Sequence, residues 1–218
     1  LRSTLGIEID VVGVPGGMIG EIKRQARFAG RLQRWCTRIL KIEPLRAYHD
    51  ALIERDGVET VSAIGIRADE SEARANDVEW ADEPERGPDG EKAWGGYVWR
   101  PLIRWSVRDV LDIHNRHGVR VNPLYQEGHD RVGCFPCQFW GKEQIRLLSD
   151  ADIAKIEDLE AEVTAIRHAR NVEEPGRYKD EGAQFFQTQR KGFVGIRAVV
   201  DWARTDRGGR QYPLLAPS

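Results

Sequence analysis

The stretch "ETVSAIGIRADESEAR", residues 59–74, decides how this chain folds. Its first half is apolar and β-branched, as a strand requires, and the run gives out at Ile66. Arg67, Asp69, Glu70, Ser71 and Arg74 follow, before a helical pattern. A strand that empties into a polar loop and then a helix is the repeating unit of a parallel α/β sheet. Ligands of such sheets sit beyond the carboxyl ends of the strands. Arg67 and Arg74 with the Ser71 hydroxyl and nearby backbone donors suit phosphate or sulfate, because arginine presents a planar fork of donors at fixed charge. The plainer arrangement is a surface set in which both arginines pair with Asp69 and Glu70.

On either side, strand and helix signals alternate. Upstream, "LGIEIDVVGV" (5–14) reads as a buried strand, "PGGMIGEIKRQARFAG" (15–30) as a glycine-punctuated loop with a short basic helical piece, and "CTRILKIEPLRAYHDALIERDG" (36–57) as a helix interrupted near Pro44 and stopped at Gly57. Downstream, residues 76–97 are acidic with prolines and glycines and read as a solvated loop. "YVWRPLI" (97–103) is a further strand, and "SVRDVLDIHNRHG" (106–118) a helix capped by Ser106 and ended at Gly118. From Ser149 the apolar residues Ile153, Ile156, Leu159, Val163 and Ile166 recur at helical spacing, over too short a run for a coiled coil. Residues 185–211 read as a loop and a last helix, followed by a polar tail. The alternation implies a mostly parallel sheet with helices on its faces.

Composition bounds the function classes. The chain has 218 residues and a net charge of −2, so nothing general draws it to nucleic acid or to an acidic membrane, although a local basic patch stays open. The segment "EIKRQARFAGRLQR" (21–34) is such a patch; it reads as a solvated helix face or as a contact for a nucleic-acid acceptor. No apolar run is long enough to span a bilayer and no signal peptide is visible, so a cytoplasmic setting with no membrane partner is expected. Among the aromatic residues, Trp94, Tyr97, Trp99 and Trp105 could stack on a base, and Trp99 and Trp105 are expected to serve packing instead.

The three cysteines carry a sharper signal. Cys134 and Cys137 form a CxxC turn in "RVGCFPCQFW", and Cys36 lies far upstream in "RWCTRILKIEPL". A metal or reactive-thiol site in a reducing compartment explains them better than a disulfide framework does. With His129 as fourth ligand the set would suit zinc; without it, three thiolates could hold an iron–sulfur cluster with one iron open. A small buried Cys36 and a mere proline turn at "CFPC" is the structural alternative.

Four blocks, "RWCTRILKIEPL", "GIRADESEAR", "WRPLIRWSVRDV" and "NPLYQEGHDRVGCFPC", stand in an order and approximate spacing that resembles the phosphoadenosine phosphosulfate reductase family of the PP-loop superfamily. The resemblance implies a Rossmann-like, adenine nucleotide alpha hydrolase-like α/β sandwich over residues 1–148, plus a helical carboxy-terminal extension and tail over residues 149–218. It implies an adenine nucleotide as ligand, either ATP, with magnesium as a candidate companion ion, or a sulfonucleotide. Arg67, Glu70, Ser71 and Arg74 then fall on the phosphate-binding block, with Arg67 and Lys41 close to the chemistry. Cys36, Cys134 and Cys137 fall on three of the four [4Fe–4S] ligands of cluster-bearing members. Trp35 stands where the fourth cysteine belongs, and Leu40 where an arginine is often found.

Two departures steer the functional expectation. The tail "RTDRGGRQYPLLAPS" has no cysteine to attack a sulfonate. "VPGGMIGE" lacks the serines and aspartate of an "SGGxDS"-like phosphate loop, so the first strand and PP-loop are expected upstream of Leu1. The favoured expectation is a nucleotide-activating or sulfur-transfer enzyme working with a sulfur donor or a thiol reductant protein, with oligomerisation left open. The alternatives are a thiol-dependent phosphoadenylyl- or adenylyl-sulfate reductase and a non-catalytic binding module containing zinc.

Overall fold

A computed structural model describes residues 6–30, 34–83, 96–129, 132–178, 182–188 and 192–206. In chain order the helices are α1 (Gly17–Gln25), α2 (Trp35–Thr37), a π-helical stretch (Arg38–Ile42), α3 (Glu43–Asp56), α4 (Glu72–Ala75), α5 (Val107–Arg116), α6 (Pro123–Gln126), α7 (Lys142–Arg146), α8 (Asp150–Glu173) and α9 (Ile196–Ala203). The strands are β1 (Val61–Ala63), β2 (Trp80–Glu83), β3 (Gly96–Trp99), β4 (Phe186–Thr188) and β5 (Gly192–Val194). Two compact units divide them: Leu1–Val14 with Thr37–Val121, and Pro15–Cys36 with Asn122–Ser218. Residues 15–36 and 122–148 thus cluster with the carboxy-terminal residues.

The first unit holds a sheet in the order β1-β3-β2. β3 pairs in parallel with β1, Ala63 opposite Trp99, and antiparallel with β2, Trp80 opposite Trp99. Among the described residues the sheet is therefore mixed rather than mostly parallel. β2 corrects the reading of residues 76–97 as loop. The Trp80 and Trp99 rings stack across the strands at 5.4 Å and 14°, and such a cross-strand aromatic pair outweighs the acidic composition around it. Residues 6–14, expected as a first strand, form none; Val11 is 86% exposed, and no described strand pairs with this segment.

Local signals explain the helices well. Ser106 and Asp109 form a capping box at the start of α5. Pro44 has no N–H to give the Leu40 carbonyl, and the chain widens into the π stretch there instead of breaking. α3 stops where Gly57 takes φ 65°, a conformation that costs glycine little.

The second unit is built on α8. Ile153, Ile156, Leu159 and Val163 are its buried stripe, packed against α1 through Ile22 and against α9 through Ile196, Val199, Val200 and Ala203. Each such isoleucine, leucine or valine side chain contributes about 1.5–3 kcal/mol when fully buried. Phe185 is almost wholly buried and meets Phe28 edge-on at 5.8 Å and Trp140 at 5.8 Å. Residues 185–211, read as loop and helix, also contain the β4–β5 hairpin, with Phe186 opposite Val194. Lys142 and Arg146 of α7 donate to the Thr205 and Ala203 carbonyls at the end of α9, closing acceptors that the helix itself leaves open. No described helix is long and apolar enough to cross a membrane.

Glu160 ties these parts together. One carboxylate oxygen accepts the backbone N–H of Phe185 at 2.7 Å and of Ile196 at 3.0 Å. Burial raises its carboxyl above the ordinary glutamate range, while those two N–H groups pull the other way. The folded chain therefore holds this proton more readily than the unfolded chain. Glu160's contribution to stability should be largest at acidic pH and should decline as pH rises from the ordinary glutamate value through the raised one. In urea unfolding followed by circular dichroism, Glu160→Gln, which cannot ionise, is expected to flatten that decline. Glu160→Ala strands both N–H groups and should lower stability by roughly 2–4 kcal/mol. An unaltered pH dependence in the glutamine variant would refute the role of the carboxyl.

Candidate functional site

The parallel pairing of β1 with β3 brings both strands out at one edge of the first unit's sheet. Ile64 N–H donates to the Trp99 carbonyl at 2.9 Å, extending the ladder beyond β1, and Ala68 N–H donates to the Ile103 carbonyl at 2.8 Å. Arg67 is held between these two bonds in an extended conformation, and its side chain is only 14% exposed. A 3₁₀ turn (Ala68–Glu70) then leads to Ser71, which caps α4 by accepting the Arg74 N–H at 3.3 Å.

Charge at this edge is internally balanced. Arg67 lies 3.4 Å from Asp69 and 3.5 Å from Glu70, and Arg74 donates to the other oxygen of Glu70. The structure thus brings Arg67, Glu70, Ser71 and Arg74 together, in the ion-paired form. Glu70 works as the bridge between two guanidiniums, so an arriving anion must displace it. The long contacts of Arg67 are weak for charge-assisted bonds, which leaves its fork available for better geometry. Arg100, directly after β3, was not singled out from the sequence. It is buried, donates to the Val78 carbonyl at 3.2 Å and lies 3.9 Å from Asp77, which makes it a brace for the approach to β2. A cation immediately after an apolar strand was the available signal.

Lys41 is exposed on the π stretch of the first unit, three residues after Arg38, which pairs with Glu43 at 2.5 Å. The thiols belong to the second unit. None of the three is in a disulfide: Cys134 is exposed, Cys36 and Cys137 half-buried. Cys137 Sγ accepts the Phe139 N–H at 3.4 Å. Arg34 stands 4.6 Å over the Phe139 ring, so the segment entering Cys36 adjoins the segment leaving Cys137. Trp35, between Arg34 and Cys36, is buried with an indole N–H that meets no acceptor among the described residues. His129 N–H donates to the Leu124 carbonyl of α6 at 3.0 Å.

These thiols fit a metal or cluster in donor chemistry and in neighbourhood, but not in geometry. Among the described residues no three His, Cys, Asp or Glu side chains are disposed to hold one metal ion. No step below is routed through such a group.

Comparison with known proteins places this arrangement. A family model described as "Phosphoadenosine phosphosulfate reductase domain" matches residues 1–139. An uncharacterized 37.8 kDa protein of Escherichia phage 186 is 33% identical over 199 residues, 88% of this chain and 57% of that protein. Adenosine 5'-phosphosulfate reductase of Streptomyces coelicolor is 41% identical over 75 residues, 34% of this chain and 28% of that enzyme. The enzyme of the same name from Salinibacter ruber is 28% identical over 139 residues, 60% of this chain and 47% of that enzyme. The chain thus spans between 28% and 57% of these relatives' own lengths.

Inorganic sulfate tests the edge directly. Titrated calorimetrically at low salt, it should bind more weakly by roughly tenfold in Arg67→Ala and in Arg74→Ala. Glu70→Gln, which removes the competing carboxylate, should bind it several-fold more tightly than the parent chain. Weaker binding in Glu70→Gln would mean that the carboxylate positions the arginines rather than competing with the ligand.

Proposed function

This chain belongs to the phosphoadenosine phosphosulfate reductase domain family, and we propose that it binds an adenosine phosphosulfate and serves the transfer of that ligand's sulfur. One observation carries the reading: Arg67 and Arg74 converge on Glu70 at the carboxyl end of a parallel strand pair, where α/β sheets take anionic ligands. In this reading Arg67 and Arg74 exchange Glu70 and Asp69 for the non-bridging oxygens of the phosphosulfate. Ser71 Oγ accepts one N–H in the cap and keeps its own proton to donate to a ligand oxygen.

The chemistry follows from where charge develops. Breaking the sulfur–oxygen bond leaves the electron pair on the phosphate oxygen of the departing adenosine phosphate. Two guanidiniums on the non-bridging oxygens stabilise the charge that gathers on the departing phosphate more than they stabilise the intact ligand. The attacking group is a thiolate. It forms a sulfur–sulfur bond as the nucleotide leaves, and a second thiol then releases sulfite and leaves a disulfide, so a dithiol reductant supplies both electrons. Cys36, Cys134 and Cys137 are the proposed thiol set for holding a metal, on the strength of the adjoining Arg34 and Phe139 segments. Lys41 is the proposed cation of the same motif.

The full-length protein should bind adenosine 5'-phosphosulfate in preference to AMP, with Arg67→Ala and Arg74→Ala each losing roughly tenfold or more in affinity. With thioredoxin it should release sulfite and AMP in equal amounts. Tight ATP binding with pyrophosphate release and no sulfite would replace this reading by nucleotide activation; absence of any adenine nucleotide binding would defeat both. After anaerobic loading with iron and sulfide, each of Cys36→Ser, Cys134→Ser and Cys137→Ser should lose iron. Full retention by any one of them would remove that residue from the set.

A further inference from the structure

The sheet of the first unit has two unlike faces. On one, Val98 is buried, with Ser62 and Ala81 beside it in the ladder. The other carries Val61, Tyr97 and Asp82 in one row and Ala63, Trp99 and Trp80 in the next, and Val61, Tyr97 and Trp80 are about half exposed. An exposed aromatic row of this kind marks a binding surface.

Trp99 is the centre of this face. Trp80 stacks on it from the β2 side, and Glu79 Oε1 accepts its indole N–H at 3.1 Å, which fixes the ring. On the β1 side the residue opposite is Ala63, exposed and no taller than a methyl group. The strand order β1-β3-β2 therefore leaves a slot one strand spacing wide, about 4.8 Å, floored by Ala63 and walled by the second face of Trp99. Ala63 and Gly65 are exposed and Ile64 and Ile66 less so, and the extended Arg67 comes next on the Ala63 side. Gly65 adds no side chain, and a Cβ there would meet only Leu102, at 3.7 Å, so the floor stays low as far as Arg67.

We infer that this slot takes the base of a mononucleotide, stacked on Trp99, while the phosphate end of the same ligand lies at Arg67. The inference rests on the anion reading of the Arg67 edge and adds to it the residues that would select the rest of the ligand. An aromatic wall and a guanidinium stand four residues apart on one side of one strand, at most about 13 Å of extended chain, and those are the two ends that a nucleotide offers. Charge is graded along the floor. Asp82, exposed opposite Tyr97, repels phosphate at the far row, whereas Arg67 attracts it at the near end. A single nucleotide can therefore enter in one direction, and a polynucleotide, with phosphates on both sides of each base, is disfavoured. Stacking of a base on an aromatic side chain is worth roughly five- to 150-fold in affinity.

Calorimetry on the full chain with adenosine 5'-phosphosulfate, inorganic sulfate and adenosine tests this. Ala63→Leu fills the slot from an exposed position, and Trp99→Leu removes its wall. Each should weaken the phosphosulfate roughly tenfold or more and abolish adenosine binding, with sulfate affinity unchanged. Ala63→Leu should also keep the parent melting midpoint, which separates a filled slot from a damaged sheet. Arg67→Ala should do the converse, losing sulfate and keeping adenosine, so the two readings fail separately. Parent-like phosphosulfate affinity in Ala63→Leu would overturn the inference. So would a dimer in sedimentation that Ala63→Leu dissociates, since a second copy of the chain would then be the cover of this face.

Discussion

The parallel alignment of β1 on β3 is the constraint from which the candidate anion edge follows. Because Ala63 lies opposite Trp99, the segments after both strands leave by the same side, and the Ala68–Ile103 bond then fastens one exit to the other. An antiparallel pairing would have sent Arg67 and Arg100 to opposite ends of the sheet. The chemistry of this edge therefore depends less on any single arginine than on a few backbone bonds that decide which arginines share a side.

The two units solve the problem of buried charge in contrasting ways. At the edge of the first, Arg67 is held close to Asp69 and Glu70 but loosely, at 3.4 and 3.5 Å, so exchange for a ligand disturbs little else. In the second, Glu160 is satisfied by two backbone N–H groups and sits where a hairpin strand and α9 both begin. The first arrangement suits a site that must trade partners. The second suits a joint that must not.

How far the sequence could be read depended on how local the deciding interaction was. Ser106 with Asp109, Gly57, Pro44 and the α8 stripe all act within a few residues, and each was legible. β2 was missed because its warrant, the stack of Trp80 on Trp99, joins positions on either side of an acidic segment. Residues 5–14 misled for the opposite reason: alternation promises a strand only if a partner strand exists to complete its ladder. At the site, Arg67, Glu70, Ser71 and Arg74 stood out by type and spacing, yet the bridging position of Glu70 is a matter of side-chain direction that spacing does not fix. Arg100 depends on contacts with the distant segment of Asp77 and Val78, and composition alone gave it no prominence.

The division of the chain has a consequence in time. Residues 37–121 form their own unit between two pieces of the other, so α1 is made long before the helix it packs on. Ala26 precedes its partner Arg167 by 141 residues, which at ribosomal speed is a wait on the order of ten seconds. During that interval the Ile22 side of α1 has no native cover, while the intervening unit has already left the ribosome. Exposed α1 is thus a segment for which a chaperone would have a long opening.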